Sequence, residues 1–280
     1  MNARRPSVFC DLALAERIER AEADLIARAS HAARHRLGDG FVIAVADGVA
    51  SFAEDGSPFN KVAGLGFGGV PSAVALAEIE DAFAVRHSPV QVELAQLGDP
   101  QIGKVLTERG YLLIGFENVL GAALGSETER IATSGIEVRP SGDDEFEAWL
   151  QVITDGFAHP DTQGVPSHEE FPREVIERAE RDAAAAGTRR YIALRDGQLA
   201  GAASLRLADG VAQLTGAATV PAHRRRGVQS ALLSARLADA AAAICDIAVI
   251  TTQPGSKSQQ NAQRQGFDLL YTRAILVKYP

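Results

Sequence analysis

The stretch VPAHRRRGVQSALL, residues 220–233, decides how this chain of 280 residues is read. It sets three consecutive arginines and a glycine between an apolar run (VAQLTGAATV, 211–220) and a pattern with helical spacing. Gly227 tolerates a tight turn and lets the backbone approach a ligand closely. A helix beginning just after it leaves its first N–H groups unpaired and carries a partial positive end. With the flanking arginines, these donors make a site for a phosphate or pyrophosphate. Two other readings compete. One is a solvated basic turn without a ligand. The other is a nucleic-acid patch, which the net charge of −8 and the absence of aromatic neighbours argue against.

Further along comes a buried-strand pattern, CDIAVITTQP (245–254). A short polar helix follows (SKSQQNAQRQ, 256–265), then Gly266-Phe267 and a β run, LLYTRAILV (269–277). In this order the residues resemble the GNAT N-acetyltransferase superfamily, which uses acetyl-CoA. Its signature, Arg/Gln-x-x-Gly-x-Gly/Ala opening a helix after a strand that ends in Val-Pro, is matched by Arg224-Arg225-Arg226-Gly227-Val228-Gln229 after Val220-Pro221. Its second signature, a helix with Asn that ends in Gly-Phe, is matched by Asn261 and Gly266-Phe267. The resemblance covers roughly residues 136–280 and departs at two points. Gln229 stands at the last Gly/Ala of the loop, so its side chain must turn away from the phosphate. Ala262 stands where the family often has a Tyr that protonates the leaving thiolate.

The resemblance implies a site. The backbone of Ala218, Thr219 and Val220 would pair with pantetheine, and an amide there would polarise the thioester carbonyl. Arg224, Arg225 and Arg226, with the amides of Gly227, Val228, Gln229 and Ser230, would hold the pyrophosphate. Asn261 would reach the pantetheine or the adenosine side. Acetyl transfer also needs a neutral amine, a donor for the tetrahedral oxyanion and a proton for the thiolate. No residue declares itself as the base. Asp155, His159, Asp161, His168, Glu169 and Glu170 surround a loop that in this family shapes the acceptor pocket. Its acidity would suit a cationic acceptor, although such charges are also ordinary for a solvated loop and a helix start. Tyr271 is the remaining candidate acid, against a packing role in an alternating strand. The catalytic candidates are therefore Tyr271, Glu169, Glu170 and His168.

Composition fits a globular chain with enough apolar residues for a sizeable core (46%) and a length that favours two domains. Cys10 and Cys245 form no spacing motif, which suits a reducing compartment. The N-terminal apolar stretch is cut early by Glu and Arg, unlike a signal peptide, and no run is long enough to span a membrane. A cytoplasmic location without a membrane partner is expected. His31 and His35 sit four apart on an expected helix, but no third ligand accompanies them, so no metal is expected.

An internal repeat lies in the first half. TERGYLLIGFENVL contains Gly110, and AQRQGFDLLYTRAIL contains Gly266, 156 residues later. At that offset VQVELAQL (90–97) falls on DIAVITTQ (246–253), and SAVALAEIEDAF (72–83) falls on VQSALLSARLAD (228–239). The same offset places Gly68, Gly69 and Val70 under Arg224–Arg226, Pro71 under Gly227, and Val105 under Asn261. The first copy keeps the apolar scaffold and loses the groups that would hold a phosphate. One motif there points elsewhere. Gly64-Leu65-Gly66-Phe67-Gly68-Gly69 satisfies G-x-G-x-x-G, with Glu93 near the place of a ribose-binding acid. The offset puts this loop at the expected empty cofactor turn.

The remaining pattern gives a helix over 11–28, a hairpin at Asp47-Gly48, and a small polar segment over 121–135. In the second half it gives a strand at 136–140, two helices, a hairpin at Asp196-Gly197, and a turn at Asp209-Gly210 into the strand before the arginine loop. The expected fold is α/β (α+β by some schemes). It comprises two GNAT-like domains, each a mixed, mostly antiparallel central sheet flanked by helices. Residues 1–125 would be a degenerate domain, 126–135 a linker, and 136–280 the N-acetyltransferase domain. The expected activity is transfer of acetyl from acetyl-CoA to a primary amine of a small molecule or peptide, by direct attack in a ternary complex. The alternative is a non-catalytic acyl-CoA binding or sensing protein.

Overall fold

The computed structural model describes residues 7–158 and 171–280. The first part of the chain forms α1 (Leu12–Leu37), β1 (Phe41–Val45), β2 (Gly48–Phe52), β3 (Lys61–Ala63), α2 (Ala73–Ala84), β4 (Val90–Ala95), α3 (Pro100–Glu108) and β5 (Leu112–Ala123). The second forms β6 (Ile136–Pro140), α4 (Phe146–Ala158), α5 (Arg173–Ala185), β7 (Arg189–Arg195), β8 (Gln198–Ala208), β9 (Val211–Gln213), β10 (Ala217–Thr219), α6 (Val228–Ala242), β11 (Ile247–Thr252), α7 (Lys257–Arg264) and β12 (Asp268–Lys278). The architecture is α/β, with a mostly antiparallel sheet flanked by helices. The elements α2, β4, α3 and β5 recur as α6, β11, α7 and β12, 156 residues on, with boundaries agreeing to within two residues.

Among the described residues the strands form one twelve-stranded sheet in the order β1-β2-β3-β4-β12-β5-β11-β9-β8-β7-β6, with β10 paired to β8. The two copies exchange their last strands. β12 pairs antiparallel with β4 (Arg273 opposite Ala95), and β5 pairs antiparallel with β11 (Gly121 opposite Val249). The exchanged strands meet each other at the centre of the sheet. Each half therefore carries the other's closing strand, and a cluster including Ala15, Ile18, Val119, Val211, Ile247 and Tyr271 fills the seam.

The seam is also polar. Arg273 of β12 donates to Glu19 of α1 at 2.8 Å and lies 3.5 Å from Glu93 of β4, which pairs with Lys61 of β3. All four side chains are buried. Burial holds the Glu19 carboxyl above the usual carboxylate range despite the opposing pull of Arg273. Removing one partner from such a cluster leaves an uncompensated buried charge.

Three expectations change. The first helix runs to Leu37, well past residue 28, because its apolar stripe continues through Ala29 and Ala33 and only Gly38, at φ +79°, ends it. The polar segment begins later than residue 121, since Gly121 to Ala123 belong to β5 and Ala122 is buried. The apolar run before the arginine loop is two strands. β9 pairs with both β8 and β11, and Leu214 makes a last bond to the Val249 carbonyl at 3.0 Å. Beyond Gly216, among the described residues, only β8 accompanies β10. Among the described residues no helix is long and apolar enough to cross a membrane. His31 and His35 are exposed on α1.

Candidate functional site

Where β10 parts from β11, a cleft of about 690 Å³ opens toward the start of α6. Ala217, Ala218 and Thr219 form its β10 wall. Antiparallel pairing alternates the direction of main-chain groups. Ser204 donates to the Gly216 carbonyl and Val220 donates to Ala200, so this alternation turns the main-chain groups of Ala217 and Thr219 away from β8, toward the open edge. The Val220 amide is thus spent inside the sheet, and its side chain packs on the Trp149 cluster. Any thioester contact from this strand falls to Ala217 and Thr219. The helix α4 closes down on the wall at Gly156, where a Cβ would stand 2.3 Å from the Ala218 Cβ.

The break in the strand is held from the α6 side. Arg236 is buried and donates to the carbonyls of Ser204 at 2.8 Å and Thr215 at 3.2 Å. Burial lowers its guanidinium to about 10, still charged at neutral pH.

The arginine loop begins with a 3₁₀ turn over Pro221–His223, after which Arg225 adopts φ +62° and Gly227 φ +84°. Gly227 is the N-cap of α6 and offers no side chain, so among the described residues no side chain caps this helix. Its first amides face the cleft beside Arg224 and Arg225, while α7 contributes Lys257 and Arg264 from the opposite wall. Asn261 of α7 donates to the Gln229 side chain at 3.0 Å, and Gln265 donates to Ser230 at 3.1 Å, tying the two helices together.

Ala218, Thr219, Arg224, Arg225, Gly227, Val228, Gln229, Ser230 and Asn261 therefore line one cleft. Val220 and Arg226 flank it without lining it; Arg226 is exposed. His223, Lys257, Ser258 and Arg264 also line it. Two of these, Lys257 and Arg264, had a signal in the sequence, because they share one face of a helix with Asn261 at intervals of four and three. Among the catalytic candidates, Tyr271 lies in the seam with its hydroxyl on Glu19 at 2.7 Å, away from the cleft. Burial pushes its phenol well above its ordinary value. His168, Glu169 and Glu170, with His159 and Asp161, lie outside the described residues. Asp155 pairs with Arg173 at 2.8 Å. Ala262, at the family's usual Tyr position, is buried.

The corresponding place in the first half is closed. Ser72 caps α2 by accepting from the Ala75 amide. Asp47 accepts the Phe67 amide at 2.7 Å, so a carboxylate of the chain stands against the glycine loop. Gly66 packs on Gly98 so tightly that a Cβ there would meet the Gly98 Cα at 2.8 Å. Glu93, the would-be ribose acid, is buried with Lys61. A dinucleotide has no open helix end here.

Comparison with known proteins agrees with the geometry. The family described as Acetyltransferase (GNAT) family matches residues 148–267 of this chain. No curated protein matches the chain significantly. Among solved structures, a GCN5-related N-acetyltransferase from Kribbella flavida is similar at TM-score 0.64 and 21% identity, covering 91% of this chain and 95% of that one. A tandem GNAT protein from the clavulanic acid biosynthesis pathway is similar at TM-score 0.58 and 13% identity, covering 95% of each chain. A GCN5-related N-acetyltransferase from Sphaerobacter thermophilus gives 0.55 and 14%, covering 99% and 94%. These likenesses establish a fold of two GNAT-like halves.

Proposed function

We propose that this chain is an N-acetyltransferase that binds acetyl-CoA in the β10–α6 cleft and acetylates a primary amine. The observation that carries the reading is the contrast between two equivalent helix starts. Among the described residues α6 has no side-chain cap and faces four cationic side chains, whereas α2 is capped by Ser72 and its loop is held by Asp47. A helix N-terminus with flanking cations suits a diphosphate, and the cleft volume falls in the range of ligand sites. Acetyl-CoA, when bound, supplies an acetyl group activated as a thioester. The amides of Gly227 to Ser230, with Arg224 and Arg225, would hold the diphosphate; Lys257 and Arg264 would meet the outer phosphate. Main-chain groups of Ala217 and Thr219 would align the pantetheine arm and donate to the carbonyl oxygen.

On this reading residues 136–280 carry the cofactor and 1–125 act as scaffold, joined through 126–135. A cytoplasmic location suits the two free cysteines. The test has two arms. Acetyl-CoA should raise the melting temperature, as a native-state ligand does, and NAD should not. Free thiol should then be released from acetyl-CoA in the presence of an acceptor amine. A shift with no turnover on any amine would favour an acyl-CoA sensor, a reading to which Ala262 lends weight; no shift would refute cofactor binding.

A further inference from the structure

A second chamber lies between the two halves. It holds about 260 Å³ and is lined by Leu25 of α1, Phe59, Phe171, Ile176 of α5, Thr215 at the strand break, and the carboxylate of Glu180. Its wall is otherwise almost wholly apolar, and the first half provides part of it. Glu180 Oε1 stands 3.4 Å from where a Cβ on Gly216 would lie, and Ser204 Oγ stands 3.5 Å from the same point. The next residue, Ala217, lines the cofactor cleft. The chamber and the cleft thus abut at the strand break, with the carboxylate at their junction.

Among the described residues no hydrogen bond or ion pair engages Glu180. Among the described residues, the following charged groups of the elements packed against it are engaged elsewhere. On α5, Glu177 pairs with Arg173, Arg178 with Glu54, Arg181 with Glu147, and Asp182 with Arg36. From α1, Glu22 accepts from Gln213 and Asp24 pairs with Arg206. From α4, Asp155 pairs with Arg173, and Arg236 bonds carbonyls of the break from the α6 side. A lone carboxylate facing an apolar chamber is costly unless it has a use.

We infer that this chamber receives the acceptor, a small primary amine on an apolar body, and that Glu180 takes its proton. The inference rests on the acetyl-CoA reading above. The alkylammonium enters with its charge toward Glu180, and one N–H proton passes to the carboxylate. The freed lone pair forms the C–N bond to the acetyl carbonyl carbon. The C–S bond then breaks, and the nitrogen's second proton goes to sulfur, giving amide and free thiol. Glu180 returns its proton to solvent. Burial alone pushes the Glu180 carboxyl up to about 7, where it can both take and release a proton near neutrality. The chamber's size excludes large polycationic acceptors, which a lone carboxylate would also leave unmatched.

The test uses the full chain, with 2-phenylethylamine and spermidine as probes. Calorimetry should detect 2-phenylethylamine binding to the CoA-loaded protein, and spermidine should give no comparable heat. In Glu180→Gln the melting shift with CoA should stay as in the native chain, while acetyl transfer to 2-phenylethylamine falls about 100-fold or more. The acid limb of kcat/KM near pH 7 should disappear with it. Ala179→Phe, which fills the chamber, should abolish the amine heat and leave the CoA shift intact. Transfer by Glu180→Gln within about threefold of the native rate would overturn the role of Glu180, since a general base contributes far more. Absence of amine heat in the native chain, or amine heat unchanged by Ala179→Phe, would overturn the chamber assignment while leaving the cofactor reading standing. Only loss of the CoA shift in the native chain would undo that reading.

Discussion

Arg225→Gly separates function from stability at one residue. Arg225 lines the β10–α6 cleft with a left-handed backbone at φ +62°. Holding a non-glycine residue there costs about 1–2 kcal/mol. Glycine removes that strain but loosens the unfolded chain, at a cost of about 0.4–1 kcal/mol. The relief outweighs the cost slightly, so the ligand-free protein should be unchanged or more stable by up to about 1.6 kcal/mol. Affinity should respond differently. A hydrogen bond from a guanidinium to a phosphate contributes about 1.5–3 kcal/mol. At 1.4 kcal/mol per decade, its loss weakens CoA binding roughly 10–150-fold. The residue is exposed, so salt screens it and the lower figure applies at physiological ionic strength. Isothermal titration with CoA at low and moderate salt, paired with melting curves without ligand, measures both quantities. Arg225→Lys keeps the charge and the strain but loses the planar fork, and should fall between the two. A Kd unchanged within about threefold in Arg225→Gly would refute the placement of the diphosphate, since one charged hydrogen bond is worth more than that.

Three further outcomes are expected. Fragments 1–125 and 136–280 should not fold when expressed separately, because β12 sits between β4 and β5. Calorimetry of the intact chain should accordingly show one transition; two well-separated ones would contradict the strand exchange. Glu180→Gln should be more stable than the native chain at pH 8 by about 3 kcal/mol, with the gap closing toward pH 5. The native carboxyl is raised to about 7, so the folded state retains a proton the unfolded state has lost, and stability falls as pH rises through that window. Denaturant titrations at the two pH values check it, and a gap of the same size at both would contradict it. Gly66→Ala should destabilise by roughly 2–4 kcal/mol, because φ is +131° and the new methyl meets backbone. Its CoA affinity should remain native in titration if, as proposed, the cofactor sits at α6.

The local elements were legible because each carries its own signal. The Asp196-Gly197 and Asp209-Gly210 turns adopt positive φ at both residues, as their chemistry demands. The repeat was legible because four elements keep their spacing and their apolar faces. The strand exchange was not. Alternation along LLYTRAILV specifies a strand buried in part, yet says nothing of which neighbours flank it, and β12 would show the same pattern beside β11. The break at Gly216 escaped for a related reason, since an apolar run looks continuous whether or not a partner strand follows it. Tyr271 shows where residue type alone misleads. A tyrosine in the last strand suggested an acid, and only the approach of Glu19 from the other half fixes its hydroxyl in the seam. Glu180 was visible as a carboxylate four residues after Ile176 on the apolar stripe of α5, but its meaning depended on a chamber walled by Leu25 and Phe59 from far along the chain.

The central claim is that the open start of α6 holds the diphosphate of CoA while its counterpart at α2 is shut. A crystal structure of the protein grown with CoA tests it most directly. The account predicts phosphate density within hydrogen-bonding distance of the amides of residues 227–230, with Arg225 alongside. Density at the loop of residues 64–69, or an ordered CoA bound away from both helix starts, would contradict it.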